Sequence, residues 1–79
     1  MDIKTQMEQA FKIEDDFSAD TVQTIPVKNG TAYVINRGEI QYSRGMIEAY
    51  VYIVFNDGET VAERVDTAQE LELWTTHLA

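Results

Sequence analysis

The stretch from Met46 to Phe55, Met-Ile-Glu-Ala-Tyr-Val-Tyr-Ile-Val-Phe, restricts what this chain can fold into more than any other. It is the longest apolar run, rich in the β-branched and aromatic residues that suit a pleated surface. As a strand it places Ile47, Ala49, Val51, Ile53 and Phe55 on one face and Tyr50, Tyr52 and Val54 on the other, with Glu48 the one polar residue. A strand that is apolar on both faces belongs in the middle of a sheet. Helices cover one side; more chain or a partner must cover the other.

The flanking sequence supplies the helices and turns. Asp2 is an N-cap, and Ile3, Met7, Ala10 and Phe11 recur at helical spacing, which predicts a helix from about Ile3 to Asp15. Glu14-Asp15-Asp16 then sits at the helix C-terminus, against the dipole, at a cost of a few tenths to roughly 1 kcal/mol. Thr21 to Val27 reads either as an edge strand carrying Pro26 or as the continuation of a second helix capped by Ser18 with a Phe17–Val22 staple. Lys28-Asn29-Gly30 is a turn, Thr31–Asn36 a strand, Asn36-Arg37-Gly38 a turn and Glu39–Ser43 the returning strand, broken by Arg44-Gly45.

Asn56-Asp57-Gly58 closes a hairpin into Glu59–Val65. A two-residue loop would pair Val54 with Val61 and Tyr50 with Val65. A three-residue loop with Gly58 in a bulge pairs Ile53 with Val61, Ala49 with Val65 and Tyr50 with Arg64. The second register keeps the aliphatic residues together and lets Arg64 lie across a tyrosine ring, so it is preferred. A capping box, Thr67 to Glu70 or Asp66 to Gln69, opens the last helix, which packs on the sheet through Ala68, Leu71, Trp74 and Leu78. The expected fold is α+β over residues 1–79 as a single small domain: an N-terminal helix, an antiparallel sheet of four strands (five if Thr21–Val27 joins), and a C-terminal helix on the sheet.

Charge is the unusual global feature, −8 on 79 residues. Residues 1–20 carry −4, residues 21–47 carry +2 and residues 48–79 carry −6. Such a field repels nucleic acid and anionic membrane and attracts basic surfaces. The absence of cysteine excludes disulfides and thiolate chemistry. With no apolar leader and no run long enough to span a bilayer, a cytoplasmic protein is expected.

Catalysis finds little support. His77 is the one histidine and lies near the end of the chain, while Ser18 and Ser43 have no motif around them. The glycines sit singly in turns, and Glu14, Asp15, Asp16 and Asp20 lack the spacing of a calcium loop, so neither a cofactor nor a metal is expected. The protein reads as a binder and not an enzyme. Two sets of residues are candidates for partner contact: the carboxylates Glu14, Asp15, Asp16, Asp20, Asp57, Glu59 and Glu63, which could imitate a line of phosphates, and the tyrosines Tyr50 and Tyr52. The N-terminal helix could equally cover those rings as a second layer.

The segment Val54-Phe55-Asn56 through Asp66-Thr67 to Leu71-Glu72-Leu73-Trp74 resembles part of a small phage-encoded anti-CRISPR protein of the type I-F systems. There too a hairpin feeds a helix that begins Asp-Ser/Thr and continues Leu-Glu-x-Trp; the front half of the present chain, with its N-terminal helix, is ordered differently. The length, acidity and lack of cysteine also look like acidic DNA-mimic inhibitors. The resemblance implies a non-catalytic inhibitor in a bacterial host cell. It would bind a basic surface of a CRISPR effector complex and block target DNA binding or cleavage, with sheet-face tyrosines and acids in contact, Tyr50 and Tyr52 being the nearest positions. The alternative expectation is a small adaptor or homodimer that pairs through the tyrosine face.

Overall fold

A computed structural model describes residues 2–12, 17–42 and 44–77, with His77 described by its backbone alone. It is an α+β arrangement in three layers, with a helix on either side of a four-stranded antiparallel sheet. Helix α1 spans Ile3–Phe11, strands β1 to β4 span Gln23–Val27, Gly30–Glu39, Met46–Phe55 and Thr60–Thr67, and helix α2 spans Ala68–His77. The strands lie side by side in chain order.

The cap of α1 is as expected: Asp2 is extended and its Oδ1 accepts the Thr5 N–H at 2.8 Å. Its end is not. The helix stops at Phe11 instead of Asp15, because Lys12 turns left-handed (φ 53°) and donates its N–H to the Glu8 carbonyl at 2.9 Å. Stopping there lets the chain return so that Phe17 meets Phe11 edge-on at 6.4 Å and Tyr50 at 5.0 Å. Glu14, Asp15 and Asp16, expected at the C-terminus of this helix, lie outside the described residues.

The ambiguous segment is a strand. β1 pairs with β2 from Gln23↔Val34 to Val27↔Gly30 and holds Pro26 on the sheet edge. The expected turn at Asn36-Arg37-Gly38 is instead a bulge inside one long strand. The register moves from Asn36↔Ala49 to Glu39↔Ile47, one residue extra on β2. Gly38 takes φ 96° and Asn36 Oδ1 accepts its N–H at 2.8 Å. The expected separate returning strand Glu39–Ser43 does not form among the described residues, which exclude Ser43: Glu39 ends β2 and residues 40–42 lie in no strand, so that β1 is the fourth member of the sheet.

The β3–β4 hairpin follows the three-residue register, with Ile53↔Val61, Ala49↔Val65 and Tyr50↔Arg64. Gly58 takes φ 95°, Gly58 N–H donates to the Phe55 carbonyl at 3.0 Å, and Phe55 N–H to the Glu59 carbonyl at 2.8 Å. Thr67 is the cap of α2, its Oγ1 accepting the Glu70 N–H at 3.1 Å.

Both faces of β3 are covered by the chain itself. On one, Ala32, Val34, Ile47, Ala49, Val51, Ile53 and Val65 form the main core, with Leu71 and Trp74 of α2 packed against it. On the other, Met7 and Phe17 close over Ile35, Tyr50 and Tyr52, joined by Ile3, Phe11 and Val22. Each large side chain taken fully out of water contributes about 1.5–3 kcal/mol, so the second cluster is a core in its own right.

Candidate protein-binding surface

The tyrosines belong to that second core. Tyr50 and Tyr52 retain 4% and 7% of their exposure, so α1 and the 17–20 turn, and no partner, cover these rings. Sequence periodicity found their face and offered the N-terminal helix or a partner as its cover, without deciding between them. Of the two readings, second layer or partner surface, burial favours the first.

Asp20 is engaged as well. The Arg37 guanidinium reaches the Asp20 carboxylate through Nη2 at 3.1 Å and Nε at 3.3 Å, and Glu48 Oε1 through Nη1 at 3.2 Å. Glu48 Oε1 also accepts the Tyr50 hydroxyl at 2.8 Å. The guanidinium carbon stands 5.3 Å from the Phe17 ring centre and 5.6 Å from that of Tyr50. These are charge-assisted bonds and cation–π contacts in a half-buried setting. The Asp20 hydrogen bonds hold Arg37 above its ordinary pKa. Burial first, and the bond to Glu48 second, raise that of Tyr50. Two further contacts fasten the same turn: Glu8 Oε2 accepts the Phe17 N–H at 2.6 Å, and Lys4 Nζ donates to the Ser18 carbonyl at 3.1 Å.

Arg37 is the residue that sequence reasoning misplaced, since it read as part of a turn. The signal for it was its place in an isolated positive segment flanked by acids. The expected cation over a tyrosine, Arg64, is opposite Tyr50 in register but points its Nε to Asp66 Oδ1 at 3.7 Å; Arg37 occupies the ring instead. Both members of the Arg64–Asp66 pair are well exposed, and such pairs contribute little, about 0–1 kcal/mol.

Of the remaining carboxylates among the described residues, Glu39 is exposed on β2 and the others lie between Asp57 and Glu72. Asp57 serves its own turn, accepting the Glu59 N–H at 2.9 Å. Glu59 and Glu63 are exposed on the hairpin and β4, and Glu70 and Glu72 on α2. Among the described residues none of these four meets a cation. From Asp57 to Glu72 there are six acids against Arg64, and helix α2 follows β4 without a loop; Glu72, on α2, faces the β1–β2 side of the sheet. Of the sequence candidates, Asp57, Glu59 and Glu63 follow one another along the hairpin and β4, whereas Asp20, Tyr50 and Tyr52 belong to the α1 side of the sheet.

A cleft of about 290 Å³ runs between α2 and the β1–β2 side of the sheet, lined by Gln23, Ile25, Val34, Asn36, Leu71 and Thr75 among others. Among the described residues Glu72 is the one charged side chain that lines it. Among the described residues no group of three or more His, Cys, Asp or Glu side chains is placed to hold a metal ion. No described helix is long and apolar enough to cross a membrane. Compared with protein-family models, curated proteins and solved structures, the chain matched none.

Proposed function

We propose that this protein is a non-catalytic inhibitor that docks its β4–α2 corner on a basic surface of a bacterial nucleic-acid-targeting effector complex. By occupying that surface it blocks target DNA binding or cleavage. The observation that carries this reading is the corner itself, where Glu59, Glu63, Glu70 and Glu72 are exposed on rigid elements with no cation opposite them among the described residues. Carboxylates held apart on a rigid frame meet a phosphate-binding surface without further ordering cost. The hairpin and helix that resemble the anti-CRISPR family are the same elements, which is why a CRISPR effector is the partner to test first. An adaptor pairing through Tyr50 and Tyr52 has less support, because both rings are already buried within the chain.

The test is a DNA-binding assay with a purified type I-F effector complex, titrated with this protein. Inhibition should weaken steeply between about 0.05 and 0.5 M salt, where the screening length falls several-fold. A variant with Glu59, Glu63, Glu70 and Glu72 all changed to Gln should fold normally and lose inhibition. Inhibition that survives both changes would show that the acidic corner is not the contact.

A further inference from the structure

The two edges of the sheet differ in a way the charge reading leaves unexplained. An antiparallel ladder alternates between residues that bond to the neighbouring strand and residues whose N–H and C=O point away. Counted from the Phe55 N–H bond to Glu59, the backbone groups of Thr60, Ala62 and Arg64 point away from β3, and β4 is a sheet edge. Among the described residues no turn, loop or cap backbone bond ends on these groups, and β3 is the one strand beside β4. On the opposite edge, the same count from the Val27↔Gly30 pair aims Thr24 and Pro26 outward, and Pro26 has no N–H to give. One edge is blunted by proline. The other is eight residues long and proline-free, with an exposed alanine at its centre.

We infer that β4 is a strand-addition edge, and that an extended basic segment of the partner pairs with it as a fifth strand. This rests on the docking reading above and gives it a mode of contact. Side-chain alternation places Glu59, Val61 and Glu63 on the α2 side of this edge, Val61 being packed on the main core. The complementary segment carries basic, apolar and basic residues at alternate positions, spanning roughly 13 Å between its charges. On the other side Arg64 and Asp66 are already paired, so that face asks for neutral residues. Backbone bonds provide affinity in this mode, and the alternate side chains provide choice of partner.

The probe is the capped peptide Thr-Lys-Thr-Val-Thr-Lys-Thr, added to the full chain at low salt while amide hydrogen exchange is followed by NMR. At saturation the Thr60, Ala62 and Arg64 amides should slow by about tenfold or more, and the same peptide with Glu for Lys should leave them unchanged. Ala62→Pro removes one outward N–H at the kind of position Pro26 already occupies, and should weaken binding about tenfold or more with the fold retained. Glu63→Gln keeps every backbone donor and should flatten the salt dependence of binding. Peptide binding that leaves the three amides exchanging freely overturns strand addition while the acidic corner stands as a docking surface. Absence of saturation at millimolar peptide overturns strand addition too, and the effector inhibition assay then judges the docking reading by itself. If the free protein sediments as a dimer with these amides already protected, the occupant is a second copy and the proposal falls.

Discussion

Replacing Arg37 by Ala is the sharpest test of how the α1 side of the molecule is held. The guanidinium bonds Asp20 and Glu48 and lies over Phe17 and Tyr50, with side-chain exposures of 22% for Arg37, 20% for Asp20 and 35% for Glu48. A hydrogen bond to a charged group contributes about 1.5–3 kcal/mol, and a cation over a ring about 0.5–1 kcal/mol where water still reaches it. The Glu48 arm is more exposed and is screened, so most of the effect belongs to Asp20. The expected loss is about 3 kcal/mol, a large fraction of the roughly 4–12 kcal/mol available to 79 residues. Removing the cation also leaves the Asp20 carboxylate beside Phe17 without compensation. Denaturant unfolding should give the loss directly, and a melting curve should shift by more than about 10 °C. In a double-mutant cycle with Asp20→Ala the coupling should exceed about 1 kcal/mol. A single-mutant loss under about 0.5 kcal/mol, or no coupling to Asp20, would refute the argument, since the 17–20 turn would then be held by apolar packing alone.

Tyr50→Phe removes the hydroxyl bonded to Glu48 and should cost about 0.5–1.5 kcal/mol at neutral pH. Because burial raises the Tyr50 pKa above its ordinary 10.0, its contribution is complete below pH 10.0 and is lost as pH rises through the raised value. Melting temperatures taken from about pH 8 to pH 11 should therefore fall less steeply for the Phe variant than for the native chain. Asp2 is held below its ordinary value of 3.8, chiefly by the Thr5 backbone N–H, so its stabilisation is present above that pH and is lost on acidification. Asp2→Asn keeps a capping oxygen and should flatten the acid limb of the stability curve, which melting in acid would show. Gly30→Ala would drive a methyl group into the Val54 carbonyl oxygen across the β2–β3 pair, and should cost about 1–3 kcal/mol in denaturant unfolding.

The parts of the fold that were legible are those where one local rule suffices. The two-sided β3 run, the Asp2 cap, the Gly58 hairpin register and the Thr67 cap all follow from spacing and residue type. Asn36-Arg37-Gly38 misled because turn and bulge use the same chemistry: a glycine at positive φ and an asparagine side chain bonding the N–H two residues on. What decides between them is distant. Continuing β2 through the bulge puts Arg37 where Asp20 and Glu48 meet it, and neither partner is near it in sequence. The early end of α1 has the same kind of cause, since a left-handed Lys12 is disfavoured locally and the Phe11–Phe17–Tyr50 contacts offset it.

The candidate site was less legible than the fold, because counting acids does not say which acids face outward with nothing opposite them. Asp2 and Asp57 complete backbone turns, Glu8 holds the Phe17 N–H, Asp20 and Glu48 neutralise Arg37, and Asp66 lies beside Arg64. A carboxylate already bonded within the chain contributes a weaker field outside it, whereas Glu39 on β2 and Glu59, Glu63, Glu70 and Glu72 on β4 and α2 meet no cation among the described residues. Both faces of β3 are also closed by the chain. On the rim of the sheet, Pro26 blunts one edge, and the exposed Glu59 and Glu63 lie along the other. The proposed docking edge therefore draws on charge and on backbone geometry, two independent observations. Reversing Glu63 should then disturb partner binding without unfolding the protein, while reversing Asp20 should unfold it first.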